Sequence, residues 1–406
     1  MALTAQTRNA IIIGGSMSGL LCGLILRRAG WNVDVFERVE SELAGRGAGI
    51  VAQPALVSVL RSFGVETHDL GVNVQKRRIL DRSGDIIAER DCPQILTTWE
   101  RVYRILRDLF GDKHYTRAKL FTRFEQDAAS VTAYFSDGEK WKADLLVGAD
   151  GLRSTLRGQC LPDTGPLYAG YVAWRALLFE ANLPEPSLRD VFPYMTFGLP
   201  PGEQFLAYPV AGLDDDLRPG HRRLNVIWYR PAEEHTELRD LLTDETGTTH
   251  PLSIPPPLIR RAAIEAMRDA AERLLAPQLR VLVRMIEEPI LQPIYDLETP
   301  QMAFGRVALI GDAAFLIRPH VGAGVSKAAD DALALAEALT GTDVESGLKR
   351  FEAMRLPIGR RIVEQARHLG AYLQATKSQE EQRSAKRYST NEAVLRETAL
   401  VDFLDN

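Results

Sequence analysis

The stretch from residue 10 to residue 37 constrains the fold of this 406-residue chain more than any other. A short β-branched strand is followed by the glycine turn GGSMSG, a helix and a second strand that ends in Glu37. Gly14 permits a tight turn, Gly19 lets helix and strand approach, and the helix N-terminus offers free N–H groups to a pyrophosphate. Glu37 lies where a carboxylate binds ribose hydroxyls. The pattern predicts a Rossmann-like dinucleotide-binding unit, although Ser16 replaces the second glycine of the G-x-G-x-x-G motif.

The ligand of this unit is only partly defined by its residues. A carboxylate at the ribose disfavours a 2′-phosphate, so NAD or FAD fits better than NADP, and the residues alone do not choose between those two. The competing interpretation is a glycine-rich helix start without a ligand, in which Glu37 is a solvated strand end.

Two further turns combine glycine and aspartate at the ends of predicted strands. Residues 130–147 predict a hairpin about Asp137-Gly138, which feeds a buried strand ending in GADG with Asp150. A second apolar run ends in GDAA and places Asp312 at the carboxyl end of a strand, where open α/β sheets bind ligands. An Asp-Gly pair alone most often forms a turn, so turn chemistry is the alternative for Asp150, and capping of its own helix backbone is the alternative for Asp312.

The segment after Asp312 adds a helix start with little side-chain bulk. Beyond Pro319, Gly322 and Gly324 precede a helix predicted over 325–339, whose apolar residues recur at near-helical spacing. The N-terminus of that helix presents positive partial charge to an anion or an electron-rich ring. The segment therefore predicts a ligand with hydroxyl groups for Asp312 and with either an anionic group or an electron-rich ring at the helix start.

Taken together, GGSMSG with Glu37, GADG and GDAAFLIRPHVGAG resemble the three signatures of single-component flavoprotein aromatic hydroxylases, the para-hydroxybenzoate hydroxylase family. GAGIVAQP, YAGYVAWRALL, FLAYPV and LNVIWYR are similar to the subgroup of 2,6-dihydroxypyridine 3-hydroxylases and relatives, which act on hydroxylated pyridines. The resemblance spans nearly the whole chain. It implies an α/β fold in which a Rossmann-like FAD-binding domain of the GR2 type is interleaved with a mostly antiparallel β-sheet substrate domain.

The same resemblance implies how the chain is divided. The FAD-binding domain with its C-terminal helices takes residues 1–75, 100–165 and 285–406, and the substrate-binding domain takes 76–99 and 166–284. Strand-like segments that support the antiparallel sheet are 168–180, 191–199, 204–210 and 222–230. Further helices are predicted over 258–276 and 345–372.

The resemblance implies FAD as the bound nucleotide, NADH or NADPH as a transient electron donor, and O2 as the oxidant. Glu37 and Arg38 would hold the adenosine ribose, while Asp150 belongs to the turn near the pyrophosphate. Asp312 would meet the ribityl chain, and the glycines around residue 323 would face the pyrimidine end of the isoalloxazine. The predicted cofactor-binding residues are Gly14, Gly15, Ser16, Met17, Ser18, Gly19, Glu37, Arg38, Gly49, Ile50, Asp150, Asp312, Pro319, Gly322, Ala323 and Gly324.

By the same resemblance, a flavin C4a-hydroperoxide delivers OH to an electron-rich carbon of a hydroxylated aromatic or N-heteroaromatic ring. The protein must orient the ring, exclude water and assist deprotonation, because a ring oxyanion activates its ortho and para carbons. His320 and Tyr208 are the catalytic candidates, with a structural hydrogen bond and core packing as their respective alternatives. The predicted substrate-binding residues are Gln53, Tyr208, Phe315 and His320. Arg175 is expected to flank the flavin or to meet the phosphates of the nicotinamide donor.

Three positions depart from the family pattern. Phe315 replaces a frequent histidine, Ser326 a frequent asparagine, and Trp99 an arginine that commonly opens a helix. These changes affect substrate identity more than FAD binding. Competing functions are a halogenase or ring-saturating reductase of related fold, or a non-catalytic FAD-binding module. The absence of the halogenase motif WxWxIP and of the Baeyer–Villiger motif FxGxxxHxxxW favours hydroxylation.

Composition argues against several other classes of protein. The formal net charge is −5 and no basic stripe is interleaved with aromatics, so nucleic acid is not expected as a partner. Three dispersed cysteines predict reduced intracellular thiols, and seven histidines without ligand spacing predict no metal site. The apolar run 10–26 contains glycines and serines and is short for a membrane span. We expect a cytoplasmic protein without a membrane partner and, from its relatives, a homodimer.

Overall fold

The computed structural model describes residues 7–43 and 49–404. In chain order, its strands are β1 (Asn9–Ile13), β2 (Asn32–Phe36), β3 (Gly49–Val51), β4 (Val72–Leu80), β5 (Ile86–Thr98), β6 (Tyr115–Thr116), β7 (Phe121–Gln126), β8 (Val131–Phe135), β9 (Lys140–Ala143), β10 (Leu145–Gly148), β11 (Leu167–Phe179), β12 (Met195–Gly198), β13 (Gln204–Val210), β14 (Arg223–Pro231), β15 (Ile290–Glu298), β16 (Ala303–Phe304), β17 (Val307–Leu309) and β18 (Phe315–Leu316). Its α-helices are α1 (Met17–Arg28), α2 (Pro54–Ser62), α3 (Trp99–Phe110), α4 (Thr155–Cys160), α5 (Glu185–Asp190), α6 (Arg239–Leu241), α7 (Arg261–Leu274), α8 (Pro277–Arg284), α9 (Gly324–Ala338), α10 (Val344–Gly370), α11 (Gln379–Tyr388) and α12 (Asn391–Glu397).

The predicted nucleotide-binding unit is built on a sheet with the strand order β16-β17-β10-β1-β2-β6. Its central strands are short apolar runs, NAIII in β1 and LLVG in β10, which suit a parallel sheet covered on both faces. β1 pairs in parallel with β2 and β10, and β10 pairs in parallel with β17. Helices α1 and α9 pack against each other beside the sheet. The α/β fold with a Rossmann-like unit is thereby confirmed.

The carboxyl ends of β1, β10 and β17 meet because their registers are aligned. Ile13 pairs with Gly148, and Gly148 pairs with Leu309. The hydrogen bonding continues beyond the strands, from Ala149 N to Ile13 O at 2.8 Å and from Ile310 N to Gly148 O at 3.0 Å. Three turns that are far apart in the sequence therefore stand side by side at one sheet edge.

A second, larger sheet has the order β18-β15-β11-β14-β13-β12-β4-β5-β3. It is mostly antiparallel, as predicted, and β12 pairs in parallel with β4. One face is covered by residues of α5, α7 and α8, and the other face carries a cluster rich in tyrosine. Strands β3, β15 and β18 come from ranges predicted for the FAD-binding domain, so the sheet draws on both predicted domains. The domain boundaries stay a prediction.

Most predicted elements are present with small shifts at their ends. The hairpin about Asp137-Gly138 is confirmed by β8 and β9, and the helix predicted over 345–372 is α10. The strand predicted over 191–199 is shorter than expected, because a turn follows α5 and β12 begins only at Met195.

The C-terminal segment returns to the tyrosine-rich face of the large sheet. Arg77 in β4 is fully buried and donates hydrogen bonds to the carbonyl oxygens of Leu395 (3.1 Å) and Thr398 (2.6 Å). The backbone N–H of Ala399 donates to the carbonyl oxygen of His320 at 2.6 Å. These contacts bring the residues after α12 next to the turn that precedes α9.

Candidate functional site

Two cavities meet where the three turns stand side by side. The first, which we call the nucleotide cavity, has a volume of about 360 Å³. The second, which we call the ring cavity, has a volume of about 340 Å³. Asp312 lines both of them, so the site is a pair of adjoining chambers with one shared carboxylate.

In the first turn, glycines let backbone segments of the protein approach each other closely. Gly14 has a φ of +106°, and a Cβ there would overlap the carbonyl oxygen of Ala149. A Cβ at Gly19 would overlap the carbonyl oxygen of Gly14. Ser16 is the N-cap of α1 but makes no side-chain capping hydrogen bond, and Ser16 and Ser18 line the nucleotide cavity. The start of α1 therefore suits an anion such as a pyrophosphate.

Glu37 connects the first turn to the cavity rather than ending its strand in solvent. Its side chain is buried, and its carboxylate accepts hydrogen bonds from Gly15 N (2.8 Å) and Val39 N (2.9 Å). Each carboxylate oxygen keeps a lone pair for a ligand hydroxyl. The hydroxyl of Tyr115 donates to the carbonyl oxygen of Gly15 at 2.9 Å and supports the turn from behind, while Arg38 lines the cavity with an exposed side chain.

The second turn uses Asp150 for its own structure as well as for the cavity. Its carboxylate accepts hydrogen bonds from Ser154 Oγ at 2.6 Å and from Leu156 N at 3.3 Å, at the start of α4. Burial raises the pKa of Asp150. Arg157 in α4 donates to the carbonyl oxygen of Ala313 at 3.1 Å and thereby links the second turn to the third. Asp150 thus performs the turn chemistry that was its alternative explanation, and it also lines the nucleotide cavity.

The carboxylate of Asp312, in the third turn, is available to accept hydrogen bonds from a ligand. No group within residues 7–43 and 49–404 donates a hydrogen bond to its carboxylate, and burial raises its pKa while Lys327 opposes the rise. The backbone beside it is fixed by a hydrogen bond from Gly311 N to the buried carboxylate of Asp331 at 3.0 Å. Asp331 in turn pairs with Lys327 (3.4 Å) and Arg355 (2.8 Å). A fixed acceptor of this kind suits the hydroxyl groups of a ribityl chain.

The ring cavity lies between the tyrosine-rich face of the large sheet, the turn before α9 and the C-terminal segment. Its lining is mainly aliphatic and aromatic. The lining residues are Gly49, Ile50, Val51, Leu152, Arg175, Met195, Leu206, Tyr208, Ile227, Tyr229, Gln292, Pro293, Ile294, Tyr295, Asp312, Leu316, Ile317, Pro319, His320, Gly322, Ala323, Gly324, Val325, Thr398 and Ala399.

His320 is a buried, neutral imidazole in this cavity. Its Nε2 lies 2.9 Å from the hydroxyl oxygen of Tyr171, and its ring packs edge-on to Tyr229 at 4.6 Å between centroids. Burial and the nearby charge of Arg318 lower the pKa of His320 to about 3. Arg318 itself pairs with Asp296 at 2.9 Å. His320 therefore makes the structural hydrogen bond that was its alternative explanation, and it also lines the ring cavity.

Tyr208 and Tyr229 place their side chains on the same face of the sheet. Burial raises the pKa of both, that of Tyr229 to about 12, and Arg175 partly offsets both rises. Neither hydroxyl has a hydrogen-bond partner in the part of the chain that the structure describes. A Cβ at Gly49 would lie 2.5 Å from the ring of Tyr208, which explains why this position needs glycine.

Two residues predicted to bind substrate do not line the ring cavity. The side-chain amide of Gln53 donates to the carbonyl oxygen of Ala399 at 3.0 Å and supports the C-terminal segment instead. Phe315 is 1% exposed, and its ring lies 2.5 Å from where a Cβ of Gly359 in α10 would be. Alternate residues of a strand point to opposite faces, so β18 sends Phe315 towards α10 and Leu316 into the cavity.

The predicted cofactor-binding residues divide between the two chambers. The nucleotide cavity is lined by Gly14, Ser16, Ser18, Glu37, Arg38, Asp150 and Asp312, and the ring cavity by Gly49, Ile50, Asp312, Pro319, Gly322, Ala323 and Gly324. Gly15 in the first turn and Met17 and Gly19 in α1 line neither cavity. Gly47 and Ala48 of the GAGIVAQP segment fall outside the described residues.

Sequence reasoning missed several lining residues. Trp99, which stacks on Tyr103 at 5.0 Å, lines the nucleotide cavity together with Lys119 and Arg153. Tyr229 could have been predicted, because the alternation of side chains along the strand LNVIWYR places it on the face opposite to Trp228. Thr398 and Ala399 carry no motif, and only the path of the C-terminal segment brings them to the site.

Over the described ranges, no group of three or more His, Cys, Asp or Glu side chains is placed to hold a metal ion. None of the helices there is both long enough and apolar enough to cross a bilayer.

Known proteins resemble this chain along most of its length. A family model described as an FAD binding domain matches residues 7–195 and 289–366, and one described as FAD binding domain-like matches 168–296. The 2,6-dihydroxypyridine 3-monooxygenase of Paenarthrobacter nicotinovorans is 34% identical and aligns over 92% of this chain and 93% of its own. The 3-amino-4-hydroxybenzoate 2-monooxygenase of Streptomyces cremeus is 28% identical over 88% and 86%. The solved structure of 2,6-dihydroxypyridine-3-hydroxylase from Arthrobacter nicotinovorans superposes with a TM-score of 0.86 over 92% of this chain and 94% of that one, at 34% identity.

The residues present fit FAD. The start of α1 has no side-chain cap and faces the nucleotide cavity beside Glu37, and the shared carboxylate of Asp312 lacks a protein donor where the two chambers meet. The family match and the shared fold agree with this geometry and confirm the family, the fold and the cofactor predicted from the three motifs. The chain belongs to the FAD binding domain family and is an FAD-dependent aromatic-ring monooxygenase.

Proposed function

We propose that the protein hydroxylates a hydroxylated N-heteroaromatic ring similar to a hydroxypyridine, with NADH or NADPH as electron donor and O2 as oxidant. The observation that carries this proposal is the shared position of Asp312, where the nucleotide cavity ends and the ring cavity begins. An extended dinucleotide held by the three turns would deliver its reactive ring into a chamber of tyrosine, histidine and aliphatic side chains. The 34% identity to a 2,6-dihydroxypyridine 3-monooxygenase supports the class of substrate.

The chain supplies a separate contact for each part of FAD. Glu37 and Arg38 would bind the adenosine ribose, the start of α1 would bind the pyrophosphate, and Asp312 would bind the ribityl hydroxyls. The backbone of Gly322–Gly324 would face the isoalloxazine. When bound, FAD supplies the transfer of electrons from the nicotinamide to oxygen and the delivery of oxygen to the ring.

Side chains of the ring cavity would orient the substrate and handle its proton. The hydroxyl groups of Tyr208 and Tyr229 are available to hydrogen-bond ring substituents. Because the pKa of His320 is about 3, its imidazole is neutral at neutral pH. With Nε2 donating to Tyr171, Nδ1 would accept a hydrogen bond from a ring hydroxyl and draw its proton away from the oxygen. The aliphatic lining would keep water from the reacting carbon.

A substrate screen tests this function directly. Purified protein is loaded with FAD and mixed with hydroxypyridines, hydroxybenzoates and unsubstituted pyridine as control, with NADH or NADPH. We expect hydroxypyridines to stimulate nucleotide oxidation and O2 uptake, and to yield a product heavier by one oxygen atom. Halide incorporation or ring reduction would assign one of the competing chemistries. No stimulation by any ring would contradict the proposal and leave a non-catalytic FAD-binding role.

We also propose that the protein is a cytoplasmic homodimer. Its three cysteines are free, and Cys22 and Cys92 are buried, which suits a reducing compartment. Sedimentation of the FAD-loaded protein would measure the assembly, and a monomer at micromolar concentration would contradict it.

A further inference from the structure

The ring cavity contains one arginine whose charge has no carboxylate partner. Arg175 lies on β11 and lines the cavity, whereas its neighbour Trp174 is buried in the opposite face of the sheet. Of the described residues that line this cavity, Arg175 is the only cationic side chain. The cavity therefore presents a single positive charge next to its aromatic surface.

The hydrogen bonding of Arg175 is incomplete. One terminal nitrogen donates to the neutral side-chain oxygen of Gln292 at 2.7 Å, and its buried Nε has no partner. No carboxylate in the described parts of the chain lies within 4.0 Å of its guanidinium. By contrast, the nearby Arg318 is paired with Asp296 at 2.9 Å. Arg175 is half-buried, and a cation that is partly shielded from water and has no anionic partner would be stabilised by a negatively charged ligand.

The charge of Arg175 acts on the groups that would surround the substrate. It opposes the burial-induced rise in the pKa of both Tyr208 and Tyr229, whose hydroxyls line the same chamber. An ionisable hydroxyl on a ring in this chamber would experience the same field. Its anionic form would be favoured, and an oxyanion on the ring is also the form with the more electron-rich carbons.

We infer that Arg175 is the anion-binding residue of the ring cavity and that it selects hydroxylated heteroaromatic rings bound as their oxyanions. This inference rests on the proposed function and adds the charge state of the substrate to it. The guanidinium suits the purpose because it stays protonated and offers several N–H donors in one plane. The phosphates of the nicotinamide donor are the competing anion, and the experiment separates the two.

The test compares a ring that can ionise with one that cannot. Dissociation constants of 2,6-dihydroxypyridine and 2,6-dimethoxypyridine are measured by flavin absorbance in native protein and in Arg175→Gln, Arg175→Met and Arg175→Lys. For dihydroxypyridine we expect Gln and Met to weaken binding about 10- to 100-fold, as for loss of a charged hydrogen bond, and Lys to weaken it less. For dimethoxypyridine we expect changes within about twofold, because no charge is lost.

The ionisation of the bound ring provides a second readout. The ultraviolet absorbance of bound dihydroxypyridine is followed against pH, and its apparent pKa should be higher in Arg175→Gln than in native protein. The matched control is Arg230→Gln on the neighbouring strand β14, whose side chain lies on the opposite face and pairs with Glu203. This control should leave both the ring affinity and the pKa of the bound ring unchanged.

Three outcomes would overturn the inference. Equal losses for both rings would mean that Arg175 acts through packing. Unchanged ring affinity with a raised KM for NADH would assign Arg175 to the nicotinamide donor. Unchanged binding and an unchanged ring pKa would leave it no role towards anions. In all three cases native protein still hydroxylates the ring and the proposed function stands, whereas failure of native protein to bind or oxidise any hydroxypyridine removes both.

Discussion

The nucleotide cavity and the ring cavity adjoin at Asp312 but are built on different principles. The nucleotide cavity is made by turns that directly follow parallel strands, where glycines and strand-end carboxylates occur in short continuous motifs. The ring cavity is made by the turn before α9, by seven strands of the large sheet, and by a C-terminal segment nearly two hundred residues from Tyr208. The seven strands are β3, β11, β12, β13, β14, β15 and β18. The residues of the nucleotide cavity therefore come mostly from short continuous motifs, whereas the ring cavity also depends on how strands that are distant in the sequence align.

The first prediction concerns the local motif and has the largest expected effect. In Gly14→Ala, the new Cβ would overlap the carbonyl oxygen of Ala149 at a φ of +106°. We expect loss of bound FAD and a fall in the free energy of unfolding of about 3 kcal/mol or more. Flavin absorbance and denaturant unfolding measure these effects. Gly30→Ala is the matched control, because Gly30 also has a positive φ of +90° but open space around it, so it should keep FAD and lose about 1 kcal/mol. Full flavin content in Gly14→Ala would show that FAD binding does not depend on the close contact between the first turn and Ala149.

The second prediction concerns the distributed cavity. His320→Ala should lower the rate of ring hydroxylation about 100-fold, because the neutral imidazole that would accept a hydrogen bond from the ring hydroxyl is gone. The protein should retain FAD, since His320 lines only the ring cavity. Single-turnover kinetics with oxygen measure the rate. His250→Ala serves as control, because His250 pairs with Asp244 and lines neither cavity. Unchanged turnover in His320→Ala would mean that His320 serves only as a structural hydrogen-bond partner of Tyr171.

The same contrast explains what could be predicted from the sequence. The three turns and their strands were predictable because β-branched runs, glycines and aspartates are local signals that fix strand ends. Glu37, Asp150 and Asp312 were identified in this way, and all three line the nucleotide cavity. Met17 was included because it lies inside the motif, but its side chain is buried behind the turn.

The ring cavity was less predictable, because a side chain's face depends on register. Phe315 and Leu316 are adjacent, and only the pairing of β18 with β15 decides which one enters the cavity. Gln53 was expected to face substrate, but it bonds to a C-terminal residue whose position no local pattern indicates. Tyr208 and His320 were identified through family resemblance rather than through periodicity.

The third prediction tests the junction between the two cavities. Asp312→Ala removes the fixed acceptor and should weaken FAD binding about 10- to 100-fold, the loss expected for hydrogen bonds to a charged group. Asp312→Asn keeps one acceptor oxygen and should weaken it less. Fluorescence titration of the apoprotein with FAD measures both. Asp330→Ala, a half-buried carboxylate that lines neither cavity, should bind FAD as native protein does. If Asp312→Ala bound FAD with native affinity, the ribityl chain would not contact Asp312 at the junction.

The fourth prediction uses the lowered pKa of His320. Its pKa is about 3 in the folded protein and about 6.5 when unfolded, so below pH 6.5 the unfolded state binds a proton that the folded state does not. Stability should therefore fall as the pH is lowered, by about 2 kcal/mol between pH 8 and pH 5 from this group alone. Urea unfolding of native protein and His320→Gln at several pH values isolates the contribution. Parallel pH curves for the two proteins would mean that the imidazole is not desolvated.

The smallest predicted effects come from the two neighbours on β18, which separate the cavity from the core behind it. Phe315→Leu should lower the free energy of unfolding by about 1 kcal/mol, because Phe315 packs against Gly359 in α10. It should change ring affinity less than twofold, since Phe315 does not line the cavity. Leu316→Ala should do the reverse and weaken ring binding several-fold, because its side chain forms part of the cavity wall. Calorimetry of ring binding to the two variants tests which of the two side chains faces the cavity. A larger loss of ring affinity in Phe315→Leu than in Leu316→Ala would place Phe315 in the substrate site.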